Sequence, residues 1–202
     1  MFEISGDSPS DPIARKPTEE QMEWACRVAA AQERLVRDRD LDALAYYYHG
    51  APDTAEERLQ AGFIVGHSLL TSRGVACAGE GDLKTAMAMK IGDVLGVGGS
   101  FTEIVVVDYA DETILLGHDG PFHMAIAEGR LKLISSEGTC TDGPTMRIGN
   151  TQTPVRFREH PDAYMTRWFA EAPTHHCALT VGHNAAAFAK VADLMGLEHV
   201  AL

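Results

Sequence analysis

The hydrophobic texture of the chain changes once, at Gly98-Gly99, and that change limits the folds open to it. Before it, stretches with helical spacing alternate with short unbroken apolar runs. This is the pattern of an α/β layer with parallel strands. Thr18-Glu19-Glu20-Gln21 reads as a capping box, in which the threonine and the glutamine satisfy each other's exposed backbone N–H groups. Met22, Ala25, Val28, Ala29 and Leu35 follow at helical spacing and predict a helix to about Arg39. Residues 42–49 read as a buried strand ended by Gly50-Ala51-Pro52. Thr54-Ala55-Glu56-Glu57 is a second capping box and predicts a helix to about Leu70. A short apolar piece over 74–78 then leads through Gly79-Glu80-Gly81-Asp82 into a helix over 83–95, with Met87 and Ile91 on one face.

After Gly99 the pattern predicts strands over 101–109, 113–116, 122–127, 131–135 and 145–148, between Gly/Asp turns. Helices are expected over 160–170 and 185–195, and a strand-like close over 198–202. The expected class is α/β: a flexible arm over 1–17 marked by Pro9, Pro12 and Pro17, a Rossmann-like parallel domain over 18–98, and a β-rich, barrel-like part with helices over 99–202.

Seventeen basic against 29 acidic residues give a net charge of −12. That leaves no basic surplus to displace counterions from phosphates, so no nucleic-acid partner is expected. Cys26, Cys77, Cys140 and Cys177 stand far apart with no CxxC pair, too sparse for a disulfide framework or a zinc ribbon. The N-terminus lacks a basic region followed by an apolar run, and no stretch reaches the roughly 18 apolar residues that span a bilayer. A cytoplasmic protein with no membrane partner is the expectation.

Gly96-Val97-Gly98-Gly99 follows a predicted helix and lacks the Lys-Ser/Thr of a phosphate loop, so it reads as a structural turn. What remains is a set of carboxylates and imidazoles beside glycines. Glu80 sits at a strand-to-helix junction, where α/β proteins present ligand groups; a helix-start glutamate favoured by the macrodipole is the alternative. Glu103 interrupts an Ile/Val run, costly if buried without a partner, and an exposed edge position is the alternative. His118 ends a strand before a rigid turn, and His123 follows five residues later. His175 and His176 are adjacent, so on a helix or strand they diverge and should not easily share one ion. One can bind metal while the other meets substrate. His183 lies too far along to join them. Two glutamates with one or two histidines suit Mn²⁺, Mg²⁺ or Co²⁺ better than a thiolate-bound structural zinc.

The stretches Cys77-Ala78-Gly79-Glu80-Gly81-Asp82-Leu83-Lys84-Thr85-Ala86, Gly98-Gly99-Ser100-Phe101-Thr102-Glu103, Leu116-Gly117-His118 and Pro173-Thr174-His175-His176 occur here in that order. Together they resemble the C-terminal half of the L-arabinose/L-fucose isomerase family, over about residues 40–200. Arg147-Ile148-Gly149-Asn150-Thr151 is similar to a segment of that family's late β-rich domain. The resemblance implies aldose–ketose isomerisation with a divalent metal, usually Mn²⁺, with Co²⁺ or Mg²⁺ as alternatives. Glu80 and Glu103 would be metal ligands and the acid/base pair, and His118 and His176 would complete the ligand set. His175 is the alternative to His176, and His123 the alternative to His118. Lys84 and His175 would meet the substrate.

The implied chemistry is polarisation of an open-chain sugar's carbonyl by the metal and proton transfer through a cis-enediol. The implied partner besides the sugar is a second copy of the chain, in a trimer or hexamer. The long N-terminal region of the family is missing, and the stretch between Gly129 and Glu137 is short. The alternatives are therefore a truncated non-catalytic sugar- or metal-binding module, one subunit of a split isomerase, or a metal-assisted hydrolase using the same carboxylates.

Overall fold

The computed structural model describes residues 3–4, 14–47, 51, 54–118, 120–126, 132–136, 145–147, 151–156, 160–172 and 174–202. Cys140, Asp119, Pro173, residues 148–150, and residues 129–131 and 137 at the two ends of the stretch between Gly129 and Glu137 lie outside them. In chain order the elements are β1 (Glu3–Ile4), β2 (Ala14–Arg15), α1 (Glu19–Arg39), β3 (Ala43–Ala45), α2 (Ala55–Ala61), α3 (Phe63–Thr71), β4 (Ala76–Ala78), α4 (Leu83–Val94), β5 (Ser100–Asp108), β6 (Thr113–His118), β7 (Lys132–Ser136), β8 (Thr145–Arg147), β9 (Thr151–Arg156), α5 (Pro161–Glu171), β10 (His176–Leu179) and α6 (Ala185–Met195). The fold is mixed α/β.

Three small sheets organise the described residues. β3 and β4 pair in parallel. β10, β5, β6 and β9 form an antiparallel sheet in that order. β7 pairs with β1, β2 and β8, so residues 3–4 and 14–15 of the N-terminal arm are tied to a strand. A barrel-like C-terminal part was expected, but among the described residues the antiparallel sheet is open. Its β10 edge is covered by α4, which packs against β10, β3 and β4.

That packing forms the core beneath the site. Ala76, Ala78, Ala86, Met89 and Phe101 make one buried cluster, with Ala43 and Ala178 against it. The alanines on β3 and β4 let α4 lie close to the parallel pair, and Phe101 brings in the antiparallel sheet. A second cluster, Ala25 and Val65 with Met22 and Leu69, packs α1 on α3.

The Thr18–Gln21 capping box is present, with both reciprocal bonds, and Thr54 caps α2 by accepting from Glu57 N. The single helix expected from Thr54 to Leu70 breaks at Gly62, where a Cβ would sit 2.8 Å from Val28 Cγ2. The close approach of α1, a tertiary constraint, sets the break. On α4 the buried face is Thr85, Ala86, Met89 and Gly92; Met87, expected on one face with Ile91, is exposed. Leu35 is also exposed, and Gln32 takes its place on the inner face of α1. The expected strand over 122–127 is instead a 3₁₀ turn, Met124–Ile126. Residues 198–202 carry no regular structure.

Candidate metal centre

Glu80 is presented by a tight turn between β4 and α4. A Cβ at Gly79 would lie 2.8 Å from Phe101 Cε1, so only glycine lets the ring pass beneath the turn. Glu80 itself has φ +57° and Gly81 φ +70°. A left-handed glutamate costs roughly 1–2 kcal/mol, and such outliers persist where surrounding bonds over-determine them. Here Gly81 N–H donates to Tyr46 O at 2.7 Å and Asp82 N–H to Gly79 O at 3.0 Å. Asp82 then caps α4, its Oδ1 accepting from Thr85 N at 2.9 Å and its Oδ2 from Thr85 Oγ1 at 2.8 Å.

The antiparallel register supplies the other groups. Glu103 on β5 is paired with His176 on β10 and, on its other side, with Gly117 on β6. Directly opposed residues lie side by side on a sheet, so Glu103 and His176 are neighbours, and His118 stands one residue beyond Gly117. The ring of Phe101 lies under both histidines, its centroid 4.5 Å from His118 and 4.8 Å from His176.

The side chains meet. His176 Nε2 is 3.3 Å from Glu80 Oε2, His118 Nε2 is 4.0 Å from Glu80 Oε1, and His175 Nε2 is 3.2 Å from Glu103 Oε2. Ligand atoms of Glu80, His175 and His176 all lie within 4.8 Å of one another, and so do those of Glu103, His118 and His176. Glu80, Glu103, His118, His175 and His176 therefore form one cluster with His176 at its centre. The adjacent histidines were expected to diverge, yet their rings are 4.2 Å apart. His175 lies in the bend before β10, so the alternation of a strand does not apply to it.

Other expected residues lie elsewhere or contribute differently. Lys84 is exposed in the first turn of α4. His123 lines a separate cavity of about 450 Å³ with Asp93 and Gly96–Gly99, where burial lowers its pKa. His183 is exposed. The residue that the sequence reading passed over is Asp82, whose Oδ2 is 3.2 Å from His176 Nδ1. Burial alone would raise its pKa, but bonds from Thr85 and His176 hold it below the usual carboxylate range. A hint was available: an aspartate two residues after a candidate ligand, at a helix start.

The two buried imidazoles differ in what they offer. An ionised carboxylate only accepts hydrogen bonds, so His176 carries its proton on Nδ1, facing Asp82. Its Nε2 is buried 3.3 Å from Glu80 Oε2 and makes no hydrogen bond. His118 is the reverse. Gly120 N–H donates to its Nδ1 at 2.6 Å, which leaves the proton of the neutral ring on Nε2, toward Glu80.

An orphaned buried nitrogen beside the Glu80 carboxylate fits a divalent cation of oxygen-and-imidazole preference. Two sets share His176, Glu80 with His175 and Glu103 with His118, so the glutamates fall in different sets; His118 matches once Nδ1 releases Gly120 and takes the proton. The nearby thiols suit neither role. Burial pushes Cys77 up to about 12 and raises Cys177 as well, which keeps them from acting as thiolates. Among the described residues no helix is long and apolar enough to cross a membrane. No family model and no curated protein matches this chain.

Proposed function

We propose that this chain carries the metal and proton-transfer centre of an aldose–ketose isomerase acting on an open-chain sugar of the L-arabinose/L-fucose type. The observation that supports it is the unbonded Nε2 of His176, buried 3.3 Å from Glu80 Oε2 in a cluster that also holds Glu103. Glu80, Glu103 and His176 would hold the cation, with His118 as fourth ligand; Mn²⁺ is the candidate, with Co²⁺ or Mg²⁺ as substitutes. A divalent ion bound there polarises a carbonyl and acidifies the neighbouring C–H.

The rest is the work of this chain's side chains. Glu80 and Glu103 are each about a quarter to a third exposed, so they reach both the buried histidines and an incoming sugar. One carboxylate takes the proton from the carbon next to the carbonyl while the carbonyl oxygen gains one, which leaves a cis-enediol. A proton returned to the former carbonyl carbon, as the neighbouring hydroxyl gives up its own, completes the exchange. Glu103 is the candidate base, because His175 Nε2 at 3.2 Å can exchange a proton with it. His175 is half-exposed and is placed to hydrogen-bond a sugar hydroxyl. Phe101, fully buried beneath both histidines, keeps water from beneath the cluster.

The test is direct. The chain is incubated with Mn²⁺ and L-arabinose, L-fucose or related aldoses, and ketose is measured. Turnover that Glu103→Gln removes supports the reading. Mn²⁺ uptake without any ketose would assign the chain instead to a non-catalytic metal- or sugar-binding role, or to one part of a split enzyme.

A further inference from the structure

We propose that Asp82 is a positioning residue that fixes the ring orientation and tautomer of His176, so that Nε2 presents a lone pair to the cluster. The inference rests on the reading of His176 as a metal ligand and adds to it the group that makes it one. Metal-binding histidines commonly donate their second ring N–H to a carboxylate, which sets the tautomer and raises ligand basicity.

The geometry is specific. Asp82 Oδ2 lies 3.2 Å from His176 Nδ1, on the side of the ring opposite Glu80. The carboxylate cannot swing away, because both its oxygens are engaged by Thr85 as the N-cap of α4. Its side chain is 8% exposed and that of His176 6%, so water does not compete for the bond. The ring is fixed independently by Phe101 beneath it and by its own backbone N–H, which donates to Thr174 Oγ1 at 3.2 Å. The N-terminus of α4 thus serves two purposes through one side chain: it starts the helix, and it aims a histidine of a distant strand, 94 residues on.

Asp82→Asn separates these two purposes. Its amide oxygen still caps Thr85 N, but an NH₂ group now faces His176 Nδ1. An amide can only donate at that point, so the neutral ring must move its proton to Nε2. The tautomer is read in metal-free protein at mildly alkaline pH, from long-range ¹H–¹⁵N spectra of labelled histidine, with His176→Gln used to assign the signal. Mn²⁺ affinity is measured by calorimetry on the same samples. Wild type should show Nδ1–H and Asp82→Asn Nε2–H, with Mn²⁺ binding weakened by about 10- to 100-fold and the thermal midpoint little changed.

An Nε2–H tautomer in the wild type, or an unchanged tautomer and Mn²⁺ affinity in Asp82→Asn, would overturn the proposal. If wild type takes up no Mn²⁺, the metal reading fails, while the tautomer comparison still decides the role of Asp82. Should Asp82→Asn fail to fold, Thr85→Val serves, since it removes the hydroxyl that holds Oδ2. A loss of Mn²⁺ affinity of less than about tenfold is then expected, and no loss at all would count against Asp82.

Discussion

His118 and His176 frame the site from opposite sides, each with its side chain 6% exposed, and both stand over Phe101. Both turn Nε2 toward Glu80, yet they offer it differently, one as a lone pair and the other as an N–H. At the α4 end a carboxylate faces Nδ1 of His176 and frees Nε2 to accept. At the turn after β6 a backbone N–H faces Nδ1 of His118 and leaves the proton on Nε2. Residue type and burial are the same, so the neighbour of the far nitrogen decides whether a histidine is a ready ligand or a donor. In the account above, His176 anchors the ion and His118 joins only after its turn rearranges.

The largest effect bears on both sides at once. Glu103→Gln should lower ketose formation by about 10²- to 10⁴-fold, the usual contribution of a positioned general base, while the fold measured by circular dichroism stays intact. Equal activity in that variant would remove the proton-transfer role and leave the two histidines around an inert cluster.

The comparison itself is tested by His176→Ala against His118→Ala, scored by Mn²⁺ calorimetry. His176→Ala should cost at least about 100-fold in affinity, and His118→Ala clearly less, near tenfold. Equal losses would mean that the Gly120 bond does not disadvantage His118.

A third buried histidine sharpens the contrast because it lies outside the cluster. His67 stacks on Tyr46, bonds to Gln32 and is lowered to about 4 by burial. Its folded-state pKa lies below its unfolded one. The unfolded chain therefore takes up the proton first as pH falls, and native stability is full above about pH 6.5. It should drop by roughly 3 kcal/mol between pH 6.5 and 4 and level off below. Urea unfolding across that range checks this, and His67→Gln should flatten the slope. A slope unchanged in that variant would assign the loss to other groups.

The smallest effect concerns the turn that orients His118. A Cβ at Gly120 would come 2.5 Å from His118 Nδ1, so Gly120→Ala must push the ring or the turn aside. A destabilisation of about 1–3 kcal/mol is expected, with the His176 signal in the nitrogen spectra unmoved. A shift at His176 as well would show that the two sides are coupled rather than separately wired.

The sequence made the site more legible than the fold that holds it. Glu80, Glu103, His118 and His176 are all marked by context: a carboxylate between glycines, a charge in a valine run, and histidines at turn boundaries. Their convergence was not readable, because it depends on the register that sets Glu103 opposite His176, and β10 is only four residues long. β9 was missed as well; Pro154 interrupts its pattern at the edge of the sheet, where proline is tolerated. Asp82 was hidden by its ordinary duty as an N-cap, since local reasoning stops at the bond to Thr85. The buried face of α4 does not follow the stripe of Met87 and Ile91. The inner face is set by Gly92, where a Cβ would collide with the backbone oxygen of Gly98.

The claim on which the account depends is that one divalent cation is gathered by Glu80, Glu103 and His176. Crystals soaked in Mn²⁺ and measured for anomalous scattering test it most directly. The account predicts a single strong peak bonded to both carboxylates and to His176 Nε2, with Asp82 on the far nitrogen of that ring. A map with no peak there, or with manganese bound elsewhere while these side chains keep to one another, would contradict it.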